Sequence, residues 1–413
     1  MKTYLTLLLL GLSAPFVFAN ALADAFLPSC RSAAPGDPMR DPEFDQVNLR
    51  ATWQKDPPIL ADGTPTAEGA VYIAPVDATT GQIELAAKQA FYGTYPVHQR
   101  VSRNGPEWGC NAAGCSVYFT GYVPPENLTS RLGKIEQDAS GTWQVSFLPN
   151  SSNMIEPFAT IIPSSPNPVL VTYMNISGPV RLNPGFTIQS AGVRTDMVAP
   201  TDVDLGAWTS YPRWAIGAPF AVLGKTVFVD GDAVRKVQIY NTGNGQVEFP
   251  TPDAIDHFAK FAWSAPEFGG AVAVMSLIHT GSNGENAVEI KRRNANGTYS
   301  LYAIIQPPNP AYPVISSPES FVFKGKSYIS FSAYLPQTTW PPSGPAQVWL
   351  VRASQSLQPF AHLVSAERVQ STVTDKYDPE TLAIQGGAKA VVYYNDLGTA
   401  NVPPDVVVCD AGL

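Results

Sequence analysis

Gly105-Pro106-Glu107-Trp108, Glu156-Pro157-Phe158, Ala218-Pro219-Phe220, Ala265-Pro266-Glu267-Phe268, Ser317-Pro318-Glu319 with Phe321, and Asp378-Pro379-Glu380 are variants of one phrase. Each is a proline, usually followed by glutamate and an aromatic residue, then a small-residue turn and a run of β-branched and aromatic residues. The prolines recur every ~47–62 residues, at or slightly above the ~40–50 residue period of propeller blades. Units of that length built from short strands pack radially, so the spacing predicts a β-propeller.

Outward from Pro318, Ser320 to Phe323, the turn Lys324-Gly325-Lys326 and Ser327 to Tyr334 form one hairpin pattern with period-two alternation. A proline-rich loop from Gln337 to Pro345 leads to a second, Gln347 to Val351 and Phe360 to Val364, which makes four strands per unit. Asn294-Ala295-Asn296-Gly297 and Asp138-Ala139-Ser140-Gly141 end in glycine, which supplies the positive φ of a tight hairpin turn. No helical periodicity of useful length competes with this reading after the N-terminal apolar stretch.

Six phrases predict six blades, with five as the alternative because Gly178 to Trp208 patterns poorly. The last unit, after Pro379, holds one hairpin, while the first, Ala70 to Val76 and Gln82 to Ala87, has no such phrase before it. Joining them is expected to make one blade by pairing the N- and C-terminal segments, which removes two open sheet edges.

Four cysteines in an exported chain favour two disulfides, for which three connectivities exist. Cys110 and Cys115 enclose a closable four-residue loop, and Cys30 with Cys409 would then lock the ends of a circular fold. Export itself is read from Lys2, the apolar stretch Leu5 to Phe18 and the small-x-small sites ending at Ala21 and Ala23. Residues 1–23 are expected to be a signal peptide and 24–413 a single secreted propeller domain. No later segment reaches the ~20 apolar residues of a membrane helix. A net charge of −8, without a basic tract longer than Lys291-Arg292-Arg293, argues against nucleic acid.

If the phrases open the innermost strands, Glu107, Glu156, Glu267, Glu319 and Glu380 converge on the axis, where they cannot all ionise without compensation. They could act as general acid and base, or hold a hard cation, so calcium on the axis is possible although no cofactor is required. Residues that depart from the repeat are better functional candidates than repeated ones. Arg213 and Trp214, His257 beside Asp256, Trp263, Trp108 and Tyr377 offer the aromatic and polar mixture of a carbohydrate cleft.

The unit from Ser317 to Ser332, continuing through Val348-Trp349-Leu350-Val351-Arg352-Ala353-Ser354 and Gln358-Pro359-Phe360, resembles a blade of the propeller glycoside hydrolases of the arabinanase and β-xylosidase type. That resemblance implies polysaccharide cleavage by inversion, with an Asp base, a Glu acid and an Asp that tunes the acid. The nearest counterparts are Asp41 in Asp41-Pro42-Glu43-Phe44, Asp45, and Glu156 in Glu156-Pro157. The combined expectation is a monomeric glycoside hydrolase-like protein. Glu156, Glu267 and Asp378 are its candidate acid and base, and Arg213, Trp214, His257, Trp263, Trp108 and Tyr377 its substrate contacts. The alternative is a non-catalytic, lectin-like or surface-binding propeller.

Overall fold

A computed structural model describes residues 29–37, 39–55, 69–96, 105–122, 129–177, 187–197, 202–207, 209–216, 220–229, 232–251, 255–354, 360–367, 374–399 and 404–413. The signal peptide expected over residues 1–23 lies outside them. Among the described residues the strands form antiparallel four-stranded units, seven in number, arranged as a β-propeller. Blades 4 and 5 share one eight-stranded sheet, because their innermost strands touch in parallel at Ala215 with Ala262 and Ile216 with Trp263. The innermost strands of blades 1 to 7 are Arg40–Asp45, Glu107–Asn111, Met154–Ala159, Thr209–Ile216, His257–Ser264, Val314–Phe323 and Lys376–Ile384.

The expectation of six or five blades is therefore corrected to seven. Asp41-Pro42-Glu43-Phe44 is itself a proline phrase, opening a complete first blade with Arg50–Lys55, Ala70–Pro75 and Gln89–Phe91. The hairpin at Ala70 belongs to that blade and does not complete the last one. Closure uses a single short strand instead: Cys30–Ser32 pairs antiparallel with Asp405–Asp410 as the outermost strand of blade 7. Cys30 and Cys409 face each other in that ladder and are disulfide-bonded, as are Cys110 and Cys115 across the tip of the blade 2 hairpin.

Two of the six phrases sit in another register. Pro266–Phe268 is a 3-10 turn after the innermost strand of blade 5, and Phe220 begins the second strand of blade 4. The true equivalents are Tyr211-Pro212-Arg213 in blade 4 and Lys260-Phe261-Ala262 in blade 5, which has no proline. The equivalence is fixed by a β-bulge that interrupts the pairing of the innermost strand at the same point in blades 1, 3, 4, 5, 6 and 7. Proline suits a bulge because its missing N–H is not needed in the ladder there. The residue before it adopts a left-handed conformation at Asp41, Glu156, Ser317 and Asp378, with φ between 43° and 55°. Such backbone costs roughly 1–3 kcal/mol per residue and must be held by its surroundings.

Packing between blades does the holding. Phe44 of blade 1 stacks at 3.9 Å on Tyr393 of blade 7, and the Tyr393 hydroxyl donates to the Gly81 carbonyl at 2.6 Å. Blades 5 and 6 share the largest apolar core, including Trp263, Met275, Ile315, Ile329 and Phe331. Fully burying a side chain of this class contributes about 1.5–3 kcal/mol. Polar stitches cross the same seams: Trp108 Nε1 donates to the Glu43 carbonyl at 3.2 Å, and the Glu156 N–H donates to Thr120 Oγ1 at 2.9 Å.

Candidate active site on the propeller axis

Because the bulge recurs at one height, it sets two rings of side chains around the axis. The residue before the proline position forms one ring: Asp41, Glu156, Lys260, Ser317 and Asp378. The residue after it forms the other: Glu43, Glu107, Phe158, Arg213, Ala262, Glu319 and Glu380. Asp41, Glu43, Glu319, Asp378 and Glu380 remain partly exposed along the channel, whereas Glu107 and Glu156 are buried.

Burial is the main force on these acids, and mutual repulsion adds to it. Asp41, Glu43, Glu319 and Glu380 are all held well above the usual carboxyl range by desolvation and by their neighbours' charges. Burial also raises Glu107, to about 8; Arg213 opposes the rise, while Asp378 and Glu156 add to it. An oxygen of Asp41, from blade 1, lies within 4.8 Å of one of Asp378, from blade 7, and the charge of Asp378 adds to the rise of Asp41. The Gly105 N–H donates to Asp41 Oδ2 at 2.9 Å and the Asp41 N–H to Asn395 Oδ1 at 3.1 Å, which fixes this pair from both sides.

Arg213 supplies the opposing charge. Its guanidinium lies over Phe158 at 4.4 Å and Phe261 at 4.7 Å, between blades 3 and 5. Burial works against its charge, but Glu319, Glu107, Glu43 and Asp378 outweigh that and hold its pKa above the ordinary value. Lys260 is pushed down to about 8 by burial and by Arg213, against the pull of Glu319 and Asp378. With fewer fixed cations than carboxyls, the cluster retains protons near neutrality, and proton donors and acceptors coexist in it.

Oxygen atoms of Asp41, Glu43 and Asp378 lie within 4.8 Å of one another, as do those of Glu319, Asp378 and Glu380. An all-oxygen set of this kind suits a hard divalent cation.

The remaining candidates are placed elsewhere. Glu267 lies in the turn beyond the inner strand of blade 5, where its carboxylate accepts from the Ser327 N–H at 2.6 Å and Ser327 Oγ at 2.8 Å. It joins blade 5 to blade 6 and is not in the two axial rings. Trp263 is 1% exposed and donates to Ser327 Oγ at 2.9 Å, while Trp108 is 2% exposed under the Arg50 guanidinium at 4.7 Å. Both pack between blades. His257 is fully buried, with Ser276 Oγ and Glu289 Oε1 both 3.3 Å from Nδ1. A single nitrogen facing both groups is not the geometry of a nucleophile, base and orienting acid in series. Tyr377 is half-buried one residue before Asp378, and Trp214 follows Arg213 on the same strand, paired with Ala221. His98, Arg100 and Arg103 lie outside the described residues. Glu43 and Lys260 were not legible as site residues, although a lysine within the apolar run Phe258-Ala259-Lys260-Phe261-Ala262-Trp263 is a signal for Lys260.

No protein-family profile matches the chain, and no curated protein matches it. Solved structures do. The β-propeller domain of the Trilobed protease from Pyrococcus furiosus aligns with TM-score 0.52 and 9% identity over 94% of this chain and 95% of that one. The acylaminoacyl peptidase of Pyrococcus horikoshii aligns with TM-score 0.53 and 9% identity over 90% of this chain and 51% of its own. A thermostable family-43 glycoside hydrolase aligns with TM-score 0.32 and 10% identity over 62% of this chain and 88% of that one. At these identities the likeness is one of fold, the β-propeller. The Trilobed protease domain is described as having an open velcro topology. Here the ring is closed by strand pairing and a disulfide.

Proposed function

We propose that this chain is a secreted, carbohydrate-active propeller that hydrolyses a glycosidic bond in its axial cleft. The observation that carries this reading is the axial carboxyl cluster, in which oxygens of Asp41, Glu43 and Asp378, and of Glu319, Asp378 and Glu380, lie within 4.8 Å of one another and are faced by Arg213. In the proposed reaction Asp41, held well above the usual carboxyl range, passes its proton to the glycosidic oxygen as the carbon–oxygen bond to the leaving sugar breaks. Asp378, an oxygen of which lies within 4.8 Å of one of Asp41, attacks the anomeric carbon as that bond breaks, and water that gives its proton back to Asp41 then releases the sugar from Asp378. Two disulfides agree with an oxidising compartment, and among the described residues no helix is long and apolar enough to cross a membrane.

The test is incubation of the purified protein with a panel of neutral and charged polysaccharides, with binding and released reducing ends both measured. Product release that falls in Asp378→Asn supports the reading, and binding without product favours a lectin-like role. A second reading rests on the two three-carboxyl groups that share Asp378, which could hold calcium on the axis. Calcium titration by calorimetry and metal analysis separate it: stoichiometric calcium with no sugar turnover would replace the hydrolase reading.

A further inference from the structure

The loop between the second and third strands of blade 6, residues 335–345, carries a tryptophan that packing does not account for. Trp340 is 51% exposed. The loop beneath it is tied down: Gln337 Nε2 donates to the Ser343 carbonyl at 3.2 Å, the Ser343 N–H donates to Gln337 Oε1 at 3.0 Å, and the Gly344 N–H donates to Asp375 Oδ2 at 3.1 Å. The ring leans on Phe258 of blade 5, with centroids 6.2 Å apart and planes 30° apart. Phe258 is itself braced by the edge of His279 at 5.4 Å and by the Arg235 guanidinium, which the Asp256 carboxylate holds. A large apolar ring is thus presented to solvent on a rigid mount.

Its position gives it a use. Lys260 Nζ lies 6.0 Å from the Trp340 ring centre, and Lys260 belongs to the axial ring, where Glu319 and Asp378 act on its charge. Lys260 therefore stands between the exposed indole and the carboxyl cluster. We infer that Trp340 is a stacking subsite for a neutral sugar ring next to the axial carboxyls, with Lys260 placed to donate to that sugar's hydroxyls. An indole face matches the C–H face of a pyranose, while the ammonium takes the equatorial oxygens. A neutral ring is specified because the surrounding carboxylates disfavour an anionic sugar. The inference rests on the carbohydrate reading above and names where one ring of the substrate lies.

Calorimetric titration of the full chain with neutral xylo- and cello-oligosaccharides tests it, comparing wild type, Trp340→Ala and Trp340→Phe. The expected result is binding by wild type, about tenfold or more weakened in Trp340→Ala, largely kept in Trp340→Phe, with melting temperatures alike in all three. If wild type binds a sugar and Trp340→Ala binds it equally, the subsite is overturned while the proposed function stands. If wild type binds no sugar of the panel, both readings fall.

Discussion

The two halves of the channel use the same backbone device for opposite chemistry. In blades 6, 7, 1 and 2 the residue after the proline is glutamate each time, at Glu319, Glu380, Glu43 and Glu107, with Asp378 and Asp41 ahead of two of them. In blades 3, 4 and 5 the same position holds Phe158, Arg213 and Ala262, and Lys260 stands where the aspartates stand opposite. The bulge is a property of the fold, repeated because every inner strand must bend at the axis. The side chains hung on it are not repeated, and that asymmetry marks where chemistry is concentrated.

The comparison can be broken at several points. Under the hydrolase reading, Asp378→Asn removes a reacting carboxyl from the axial cluster and should lower kcat by about 10²–10⁴ or more, at least the usual worth of a positioned acid or base. Unchanged turnover would move the chemistry off the acidic half. Arg213→Met removes the cation that offsets several enclosed carboxylates and should destabilise by about 3–5 kcal/mol at pH 7, read by denaturant unfolding. The loss should shrink toward pH 5 as the acids take up protons. A variant equally unstable at both pH values would mean that packing against Phe158 and Phe261 matters and charge does not.

Glu107 gives a pH signature. Its pKa rises from 4.5 unfolded to about 8 folded, so between those values the native state binds the extra proton. Its contribution to stability is complete below about 4.5 and is lost as pH climbs through about 8. Glu107→Gln should flatten that part of the stability profile, and an unaltered slope would show that Glu107 ionises normally. The smallest effect belongs to the seam outside the channel: Glu267→Gln should cost about 1–2 kcal/mol by weakening its bonds to Ser327. Its turnover should equal that of wild type.

The repeat itself was legible because proline is tolerated inside a sheet only where the ladder is interrupted, so each bulge left a mark in the sequence. The count failed where that mark was absent or copied. Blade 5 bends at Lys260-Phe261 without a proline, while Ala265-Pro266-Glu267-Phe268 mimics the phrase in a turn a few residues later. Blade 1 is hidden because the strand Arg50–Lys55 separates its phrase, Asp41-Pro42-Glu43-Phe44, from the hairpin at Ala70. The convergence of Glu107, Glu319 and Glu380 follows from the repeat alone. The buried state of His257, Trp263 and Trp108 does not, since a tryptophan between blades and one beside a channel read alike in one dimension. Trp340 lay in a proline-rich loop with no periodic pattern to place it.

The strand Cys30–Ser32 finds its partner 379 residues downstream. During synthesis Cys30–Ser32 stays unpaired until Asp405–Asp410 has left the ribosome, so blade 7 cannot be complete before then. A chain that stops before Asp405 keeps a raw sheet edge at Lys389–Asp396, which quality-control proteases can recognise.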